Sequence, residues 1–595
     1  MPPLFRRTPS PSPRSSVFET LQGFLFVLIA TSLCQILYSP LGFNPSDEGY
    51  MLSGSRRLLE GAIPHRDYIS LRPVGTHIWH SLWLLVTTDH LMLLSRGVAW
   101  FQLAVSAWLW IRIVEYFWGS FPTTSSRLTA AVVAFCASAH TFPVMVWNSI
   151  DGFFFISCGL YTLLRTPRLR WAGVFFLGLT PLCRQNFLIF SPLILLLACR
   201  PKSPLSAIRL LFLFSLPSLL YALDVILHGG LRDALIQMTG HEFRWRFAIP
   251  FLFIPRNFAL VCLAALPTAF LVFSLRRARH DSNTEHNIFQ DDSTIKTSLQ
   301  PKNLFFIHSK TTGFLTSYTP SLILGASAVL WGMILYAIFS ISHSYMGRIH
   351  GWIAFGMVIG LFSGTASLPY RKRSSRLLLG LVLLTGWCIS FSAGYFSAAL
   401  ASPALFVPVF HLLFNEKYLA RRVHIAVTVG ILLLTILSFH YGRTRNVYCD
   451  LDISRLRYDV GDVLPGGQGI RTNFYTYHHL KELKELVEEI RKHGDRYVVV
   501  PEAAQFWVTS NQPNPLSCDW CIDPELQRRE NLDRVLTEID ALPPGTALLV
   551  QKLSSPRLAY GPRFWLPTRS KVADHIRRRY RLVKETFFWK EYRNP

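Results

Sequence analysis

Two adjacent carboxylates, Asp47 and Glu48, follow the first long apolar run of the chain, Leu21 to Tyr38. A run of this length crosses a bilayer as a helix, so both acids should lie where that helix leaves the hydrocarbon. They are either solvated residues at the membrane boundary or a reaction centre at the membrane surface. A carboxylate beside apolar lipid has a raised proton affinity, which suits Asp47 to act as a base.

Cationic side chains follow these acids within the same loop, which we place at residues 41–77. A polar stripe from Ser53 to Glu60 predicts a short amphipathic helix in the membrane interface. Guanidinium groups match the oxygens of a phosphate particularly well, so the loop has the chemistry to bind an anionic headgroup. The candidate binding residues between its two prolines are His65, Arg66, Asp67 and Arg72.

Three further candidates come from later parts of the chain. Asp151 opens another apolar run and returns, by span parity, to the same side as Asp47. Arg184 lies in a polar turn between two short apolar runs, where such a turn must face protein or a wet cavity. There it could pair with a buried carboxylate. Arg348 and His350, with His343, end another run and could either hold a phosphate or line the surface.

The composition indicates which elements position these residues. Half of the 595 residues are apolar and 14% are aromatic, with a mean hydropathy of +0.28. This is the composition of a polytopic α-helical membrane protein. The net charge of +24 would suggest a nucleic-acid partner in a soluble protein. Much of that charge lies in short loops between apolar runs, however, so the positive-inside rule explains it and we expect no nucleic acid.

Thirteen apolar runs, two of them short, predict about thirteen spans across residues 21–440. Residues 1–20 form a basic cytoplasmic tail, and the first run is predicted to be an uncleaved anchor. The polar segment 276–310 is predicted to be a flexible cytoplasmic connector. The basic loops 165–170 and 371–376 then fall inside. An odd number of spans places the C-terminal part outside, with the acidic loop.

Residues 441–595 have the character of a small external α/β domain. Helical spacing is clear from Tyr477 to His493, and Tyr497 to Val500 is typical of a buried strand. Cys518 and Cys521 have metal or redox spacing, but a closed zinc site needs four ligands, so a disulfide or free thiols are favoured. Carboxylates elsewhere could hold a divalent metal, yet no ligand set is fixed, and no dinucleotide fingerprint is present.

One segment resembles a known family. The acidic pair after the first span, then the residues 60–67, EGAIPHRD, and 72–75, RPVG, resemble the first external loop of C-type glycosyltransferases. The group that contains protein O-mannosyltransferases and lipid A aminoarabinose transferases is the most similar. The chain departs from it with His65 where Tyr is common and Val74 where a second Pro is common. The resemblance implies a sugar donor carried on polyprenyl phosphate, and Arg184 matches by position a cation that contacts the lipid phosphate.

These observations predict a membrane glycosyltransferase that moves a sugar from a polyprenyl-phosphate donor to an acceptor hydroxyl on the external face. The acceptor is a lipid, a glycan or a protein. One base without a covalent nucleophile predicts a single displacement with inversion. Asp47 is the predicted base, Glu48 and Asp151 orient the acceptor or tune that base, and Arg72 with Arg184 offsets charge on the phosphate.

Two other classes of function fit the same composition. A lipid or ion transporter or flippase would use the intramembrane charges for binding, although the chain has no convincing internal repeat. A non-catalytic assembly factor would keep the fold and work through the C-terminal domain. The expected location is a bilayer, preferably a bacterial inner membrane with the site on the periplasmic face.

Overall fold

The computed structural model describes residues 13–139, 145–239, 254–291, 310–343, 349–365, 372–391, 398–415 and 421–593. Helices dominate the first three quarters of the chain. They are α1 (Pro13–Leu37), α2 (Tyr50–Leu59), α3 (Gly75–Leu84), α4 (Leu91–Trp118), α5 (Thr124–Ala139), α6 (Asn148–Arg165), α7 (Arg170–Cys183), α8 (Asn186–Cys199), α9 (Pro204–Leu227), α10 (Leu231–Met238), α11 (Pro255–Asp291), α12 (Lys310–Phe339), α13 (Ile349–Thr365), α14 (Lys372–Ser390), α15 (Ser402–Asn415) and α16 (Arg421–Arg445).

Six helices in the described part of the chain are long and apolar enough to cross a membrane. Their apolar stretches are Phe18–Leu37, Leu91–Trp118, Pro204–Leu227, Pro255–Ser274, Gly325–Ser342 and Ile425–Arg445. Several shorter apolar helices, among them α7 and α8, accompany them. By length and composition the chain is therefore a helical membrane protein. Each of the thirteen predicted runs overlaps a helix of the structure, but the count of thirteen spans stays a prediction.

Large apolar side chains remain exposed along the outer helices. Leu33 and Ile36 on α1, and Leu433 and Leu437 on α16, are all more than half exposed. Such surfaces would be unfavourable in water, whereas contact with lipid is favourable for apolar side chains.

Helix packing inside the bundle uses small residues. Gly356 and Gly360 of α13 lie so close to α11 that a Cβ on either would come within 2.4 Å of a backbone oxygen of that helix.

The polar segment 276–310 differs from the expectation of an irregular connector. Helix α11 continues through it to Asp291, and α12 already begins at Lys310. Residues 292–309 of the connector lie outside the described residues. An apolar periodicity is not required for these extra turns, because the span that precedes them has already nucleated the helix.

The C-terminal part contains a four-stranded sheet with the order β3, β4, β6, β5. Its strands are β3 (Tyr497–Val500), β4 (Ala547–Gln551), β5 (Arg581–Glu585) and β6 (Trp589–Arg593), after a short antiparallel pair formed by β1 (Tyr458–Asp459) and β2 (Arg471–Thr472). Strands β3 and β4 are parallel, and the other pairs in the sheet are antiparallel. The helices are α17 (Phe474–Lys492), α18 (Ala504–Thr509), α19 (Arg529–Asp540), α20 (Ser555–Leu558) and α21 (Lys571–Arg579).

Both faces of this sheet are covered, as its continuous apolar strands require. Val498 and Val500 pack with Val535 and Ile539 of α19 on one face. Tyr497 and Val499 pack with Leu483 and Leu486 of α17 on the other, as the two-residue period of a strand dictates. Helix α17 is capped by Asn473, whose side chain accepts the N–H groups of Tyr475 and Thr476. The helix and the strand predicted here are present as α17 and β3.

The predicted interfacial helix is α2, and it is not a surface helix. Met51, Leu52, Ser53, Gly54, Ser55 and Arg57 are buried along it. It packs against α3 and against α18 of the C-terminal part. Gly49 makes this docking feasible, because its φ of +94° favours glycine and a Cβ there would lie 2.5 Å from the Cα of Gln505. The amphipathic helix α2 is therefore buried between two parts of the protein and does not lie in the membrane interface.

Candidate functional site

Asp47 lies at the junction between the loop 41–77 and the C-terminal part. Its Oδ2 accepts hydrogen bonds from Tyr448 Oη at 2.6 Å and from Asn44 Nδ2 at 3.0 Å. Among the residues that the structure describes, no side chain donates to its Oδ1. Burial raises the pKa of this carboxyl and the charges of Glu525 and Glu48 raise it further, against the opposing effect of the two hydrogen bonds. Asp47 is therefore a carboxylate of increased basicity.

Glu48, although adjacent, has a different environment. Both of its carboxylate oxygens accept from Arg96 of α4, each at 2.6 Å. Arg96 also donates to the carbonyl oxygens of Ser39 and Gly42, so it ties the end of α1 and the loop to α4. The Glu48 residue is only 2% exposed. This pair anchors the loop to α4, and the charge of Glu48 also raises the pKa of Asp47. The role of orienting an acceptor stays a prediction for Glu48.

Arg72 belongs to a buried triad near Asp47. Its Nη2 lies 3.2 Å from Glu525 Oε1, and its Nη1 donates to Tyr50 Oη at 3.0 Å. Tyr50 in turn donates to Glu525 Oε2 at 2.8 Å, and Trp520 packs on the Tyr50 ring with centroids 4.7 Å apart. Burial disfavours the charge of Arg72, but Glu525 and Tyr50 outweigh burial and raise its pKa. The guanidinium is therefore permanently charged.

A second buried pair joins the loop to the C-terminal part. Arg57 of α2 donates to both oxygens of Asp519, at 2.8 and 2.7 Å, and to the carbonyl oxygen of Leu516 at 2.6 Å. Burial opposes ionisation of Asp519, yet Arg57 and other donors outweigh it and lower the pKa of that carboxyl. This bidentate pair fixes the segment between Cys518 and Cys521, which carries Trp520 to Tyr50.

Arg184 occupies the turn between α7 and α8, as predicted. Its Nη1 donates to Ser149 Oγ at 3.1 Å, and its charge acts on the same electrostatic cluster as Arg72 and Glu525. The next residue, Gln185, donates to the carbonyl oxygen of Leu71, which fixes the turn beside Arg72. The charge of Glu525 acts on Asp47 and on Arg184, and Glu525 is in direct contact with Arg72.

Asp151 lies in a different environment, fully buried at the start of α6. Its Oδ1 is bonded to His80 of α3 at 3.0 Å and to Gln102 of α4 at 2.8 Å. Its exposed fraction is 0%. These contacts lock α6 to α3 and α4, and the predicted role of Asp151 in orienting the acceptor or tuning Asp47 stays a prediction.

The remaining predicted binding residues lie in different environments, some buried and some exposed. His65 is buried, with hydrogen bonds to Gln237 at 2.8 Å and Tyr221 at 2.5 Å, and burial lowers its pKa. Arg66 and Asp67 form an exposed pair with each other at 2.8 Å. His350 is buried against the carbonyl oxygen of Ala137 at 2.9 Å. Arg348 lies outside the described residues. His65 and Asp67 both fix the loop, since Asp67 Oδ2 also accepts a hydrogen bond from the N–H of Ile63 at 2.7 Å.

In the described ranges, no group of three or more His, Cys, Asp or Glu side chains is arranged to hold a metal ion. The acids near Asp47 are matched by cations or hydrogen-bond donors. A divalent ion thus finds no ligand set among these residues.

Sequence reasoning missed several residues of the cluster. Glu525, Asp519 and Tyr448 lie more than 400 residues along the chain from their partners Arg72, Arg57 and Asp47, and nothing in their local patterns marks them. Arg96 did carry a signal. It is a charged residue inside an apolar run, and such a residue requires a partner. That requirement, applied to the acidic pair, would have predicted its bond to Glu48.

Comparison of the chain with family models, with curated proteins and with solved structures finds no match.

Proposed function

We propose that the protein is a membrane glycosyltransferase that moves a sugar from a polyprenyl-phosphate donor to an acceptor hydroxyl, with Asp47 as the base. One observation carries the proposal. A carboxylate of raised pKa, with one oxygen held and the other available, lies in a cluster with guanidinium groups between apolar helices and the C-terminal part. The motif resemblance of the loop supports the same chemistry.

The proposed reaction is a single displacement. Tyr448 and Asn44 hold Oδ2 of Asp47, so Oδ1 takes the proton of the acceptor hydroxyl as its oxygen attacks the anomeric carbon. The bond from that carbon to the donor phosphate oxygen breaks on the opposite face, and the phosphate leaves with the electron pair. The configuration at the anomeric carbon is inverted.

The leaving phosphate needs a cation, since preorganised charge lowers the barrier where negative charge develops. Two sets of guanidinium groups are candidates for this role. Arg72 and Arg184 belong to the cluster around Glu525. Arg443 lines a pocket that also contains Tyr448 and Asn44, the two partners of Asp47.

The proposal extends to topology. It includes thirteen spans, an external domain formed by residues 441–595, and a bacterial inner membrane with Asp47 on the periplasmic side. Labelling of single cysteines introduced at exposed positions of the C-terminal part, by a reagent that does not cross the membrane, tests this orientation. Labelling only after the membrane is opened would contradict it.

Transfer itself is tested with the full chain in proteoliposomes that contain labelled polyprenyl-phosphate sugars and a membrane extract as the source of acceptors. We expect Asp47→Asn to lower transfer by about 100- to 10,000-fold, because it removes the base. Glu60→Gln is the matched control, since Glu60 is an exposed acid of the same loop that pairs with Arg56. Wild-type turnover by Asp47→Asn would refute the mechanism. Movement of the lipid between leaflets without transfer would favour a flippase.

A further inference from the structure

Cys518 and Cys521 lie at the contact between the C-terminal part and the loop 41–77. Both are free thiols in the structure, and they are 5% and 1% exposed. The Cys521 thiol donates to the carbonyl oxygen of Cys518 at 3.1 Å. The Cys518 side chain lies within hydrogen-bonding reach of the same thiol, and this contact, together with burial, raises the pKa of Cys521. The two sulfur atoms are therefore neighbours in one buried apolar cluster.

The two residues between the cysteines both contact the loop. Asp519 accepts two hydrogen bonds from the Arg57 guanidinium, at 2.8 and 2.7 Å. Trp520 packs on the ring of Tyr50, with centroids 4.7 Å apart, and its Nε1 donates to Ser46 Oγ at 3.2 Å. Ser46 immediately precedes the proposed base. A bond between the two cysteines would therefore close a ring around the segment that positions the start of the loop.

Both ends of that segment are also held by the C-terminal part. The N–H of Cys521 donates to the carbonyl oxygen of Pro501 at 2.9 Å, and its carbonyl oxygen accepts from Ser570 Oγ at 3.2 Å. Asn514 Nδ2 donates to the carbonyl oxygen of Cys518 at 3.0 Å. A disulfide here would join two points that are fixed in the C-terminal part, and the contacts to the loop lie between those points.

The charge beside the thiols favours thiol–disulfide exchange. The guanidinium of Arg57 acts electrostatically on both cysteines. A nearby cation favours the thiolate, which is the form of cysteine that attacks a disulfide. Cys521 keeps its proton more firmly because of its contact with Cys518. Cys518 is therefore the thiol that reacts first.

We propose that Cys518 and Cys521 are a disulfide-forming site that secures the loop on the C-terminal part. The Cys518 thiolate attacks one sulfur of an external disulfide, and the second sulfur of that disulfide leaves as a thiolate. The Cys521 thiolate then displaces the first sulfur, so that the bond between Cys518 and Cys521 forms. The external disulfide gains two electrons and becomes two thiols, which take up the two protons that the cysteines lose. Since both thiols are buried in the folded protein, the exchange takes place while the C-terminal part folds.

The inference rests on the proposed topology and not on the transfer reaction. Disulfides form and persist on the outer side of a bacterial inner membrane, where the C-terminal part is proposed to lie, and they are rare inside the cell. The redox state is measured in acid-quenched membranes that contain the full chain, by alkylation before and after reduction and mass spectrometry of the peptide with both cysteines. We expect this peptide to take up two alkyl groups only after reduction. Alkylation of both thiols before reduction would overturn the inference and leave the proposed transfer standing.

Serine variants distinguish a disulfide from two packed thiols. Cys518→Ser, Cys521→Ser and the double variant should lower the melting temperature of the non-reduced protein equally, by about 3 °C or more, because the loss of either sulfur removes the same bond. Cys449→Ser is the matched control, since Cys449 is another buried thiol of the C-terminal part. That variant should keep the wild-type fall in melting temperature on reduction. Losses that add up in the double variant would indicate two independent packing contacts and overturn the inference.

Hydrogen exchange tests the connection to the loop. In the double serine variant, the backbone amides of residues 44–60 should exchange several times faster than in the oxidised wild type, because the segment that holds them is less restrained. Equal exchange in the two proteins would show that the disulfide does not secure the loop, and this would overturn the inference. If the disulfide and its effect on exchange are found without transfer of any sugar, the disulfide site stands and the proposed function fails.

Discussion

Two aspartates at the same junction, Asp47 and Asp450, differ in how completely their carboxylate oxygens are hydrogen-bonded. Asp450 is 3% exposed and accepts four hydrogen bonds. Phe43 N–H and Thr472 Oγ1 donate to one oxygen at 3.0 and 2.7 Å, and Leu451 N–H and Asn473 Nδ2 donate to the other, both at 2.7 Å. Asp47 is partly exposed, and its two side-chain hydrogen bonds both end on Oδ2.

The difference separates a structural carboxylate from a reactive one. Asp450 joins the loop to β2 and to the cap of α17, and every donor around it is fixed by backbone or by packing. Burial raises the pKa of both carboxyls, that of Asp450 to about 6, so a raised pKa alone does not distinguish them. Asp47 differs because one of its oxygens has no donor among the described residues and because the charge of Glu525 raises its pKa further. A buried acid normally has its hydrogen bonds completed, so an incomplete set beside other charges indicates chemistry more strongly than burial does.

The largest effect should come from a third acid, Glu48, which is fully paired by a charge. Arg96→Ala leaves that buried carboxylate without its cation and should lower the free energy of unfolding by about 3–5 kcal/mol. The double variant Glu48→Gln with Arg96→Gln removes both charges and should recover part of the loss. Thermal unfolding in detergent measures both. An unchanged melting temperature in Arg96→Ala would mean that pairing does not distinguish Glu48 from Asp47.

Replacing each aspartate by asparagine tests the comparison directly. Asp450→Asn replaces one acceptor oxygen by an N–H₂ group, which cannot accept the hydrogen bonds that reach this position. The variant should therefore lower the free energy of unfolding by about 1–3 kcal/mol. Asp47→Asn keeps an oxygen for Tyr448 and Asn44. Its N–H₂ group would take the place of Oδ1, which meets no donor among the described residues, so this variant should lose little or no stability. A similar loss of melting temperature in both variants would remove the distinction between them.

The pH dependence of transfer sharpens the assignment of the base. Asp47 must be ionised to accept a proton, so activity should be lost as the pH falls through its raised pKa, above the ordinary value of about 3.9. The Glu525 charge is one cause of that elevation, and its removal also releases Arg72 to act on Asp47. Glu525→Gln should therefore move the acidic limb of kcat/KM to lower pH. A limb that moves upward or stays in place would exclude this electrostatic coupling.

Part of this arrangement could be predicted from sequence. There is a physical reason why some of its features could be predicted and others could not. The apolar runs locate the helices, and the charges near a span end locate Asp47, Arg72 and Arg184, because both signals are local. The partners that decide the role of each charge are not local. Arg96 turns Glu48 into an anchor and His80 buries Asp151, while Glu525 and Tyr448 arrive only when the C-terminal part docks on the loop. An amphipathic pattern likewise could not show that α2 is covered by protein.

The smallest effect should come from Asp67, an acid of the loop that is both accessible and paired. It is bonded to Arg66 at 2.8 Å, with side chains 45% and 35% exposed for Arg66 and Asp67. Solvent screens such a pair, so Asp67→Asn should leave the melting temperature within measurement error. Asp519→Asn, which breaks the buried pair with Arg57, is the contrasting variant and should lower it clearly. Because the predicted role of Asp67 was substrate binding, the KM for donor and acceptor is measured as well. A raised KM with an unchanged melting temperature would show that accessibility, and not an incomplete set of partners, marks the reactive acids of this loop.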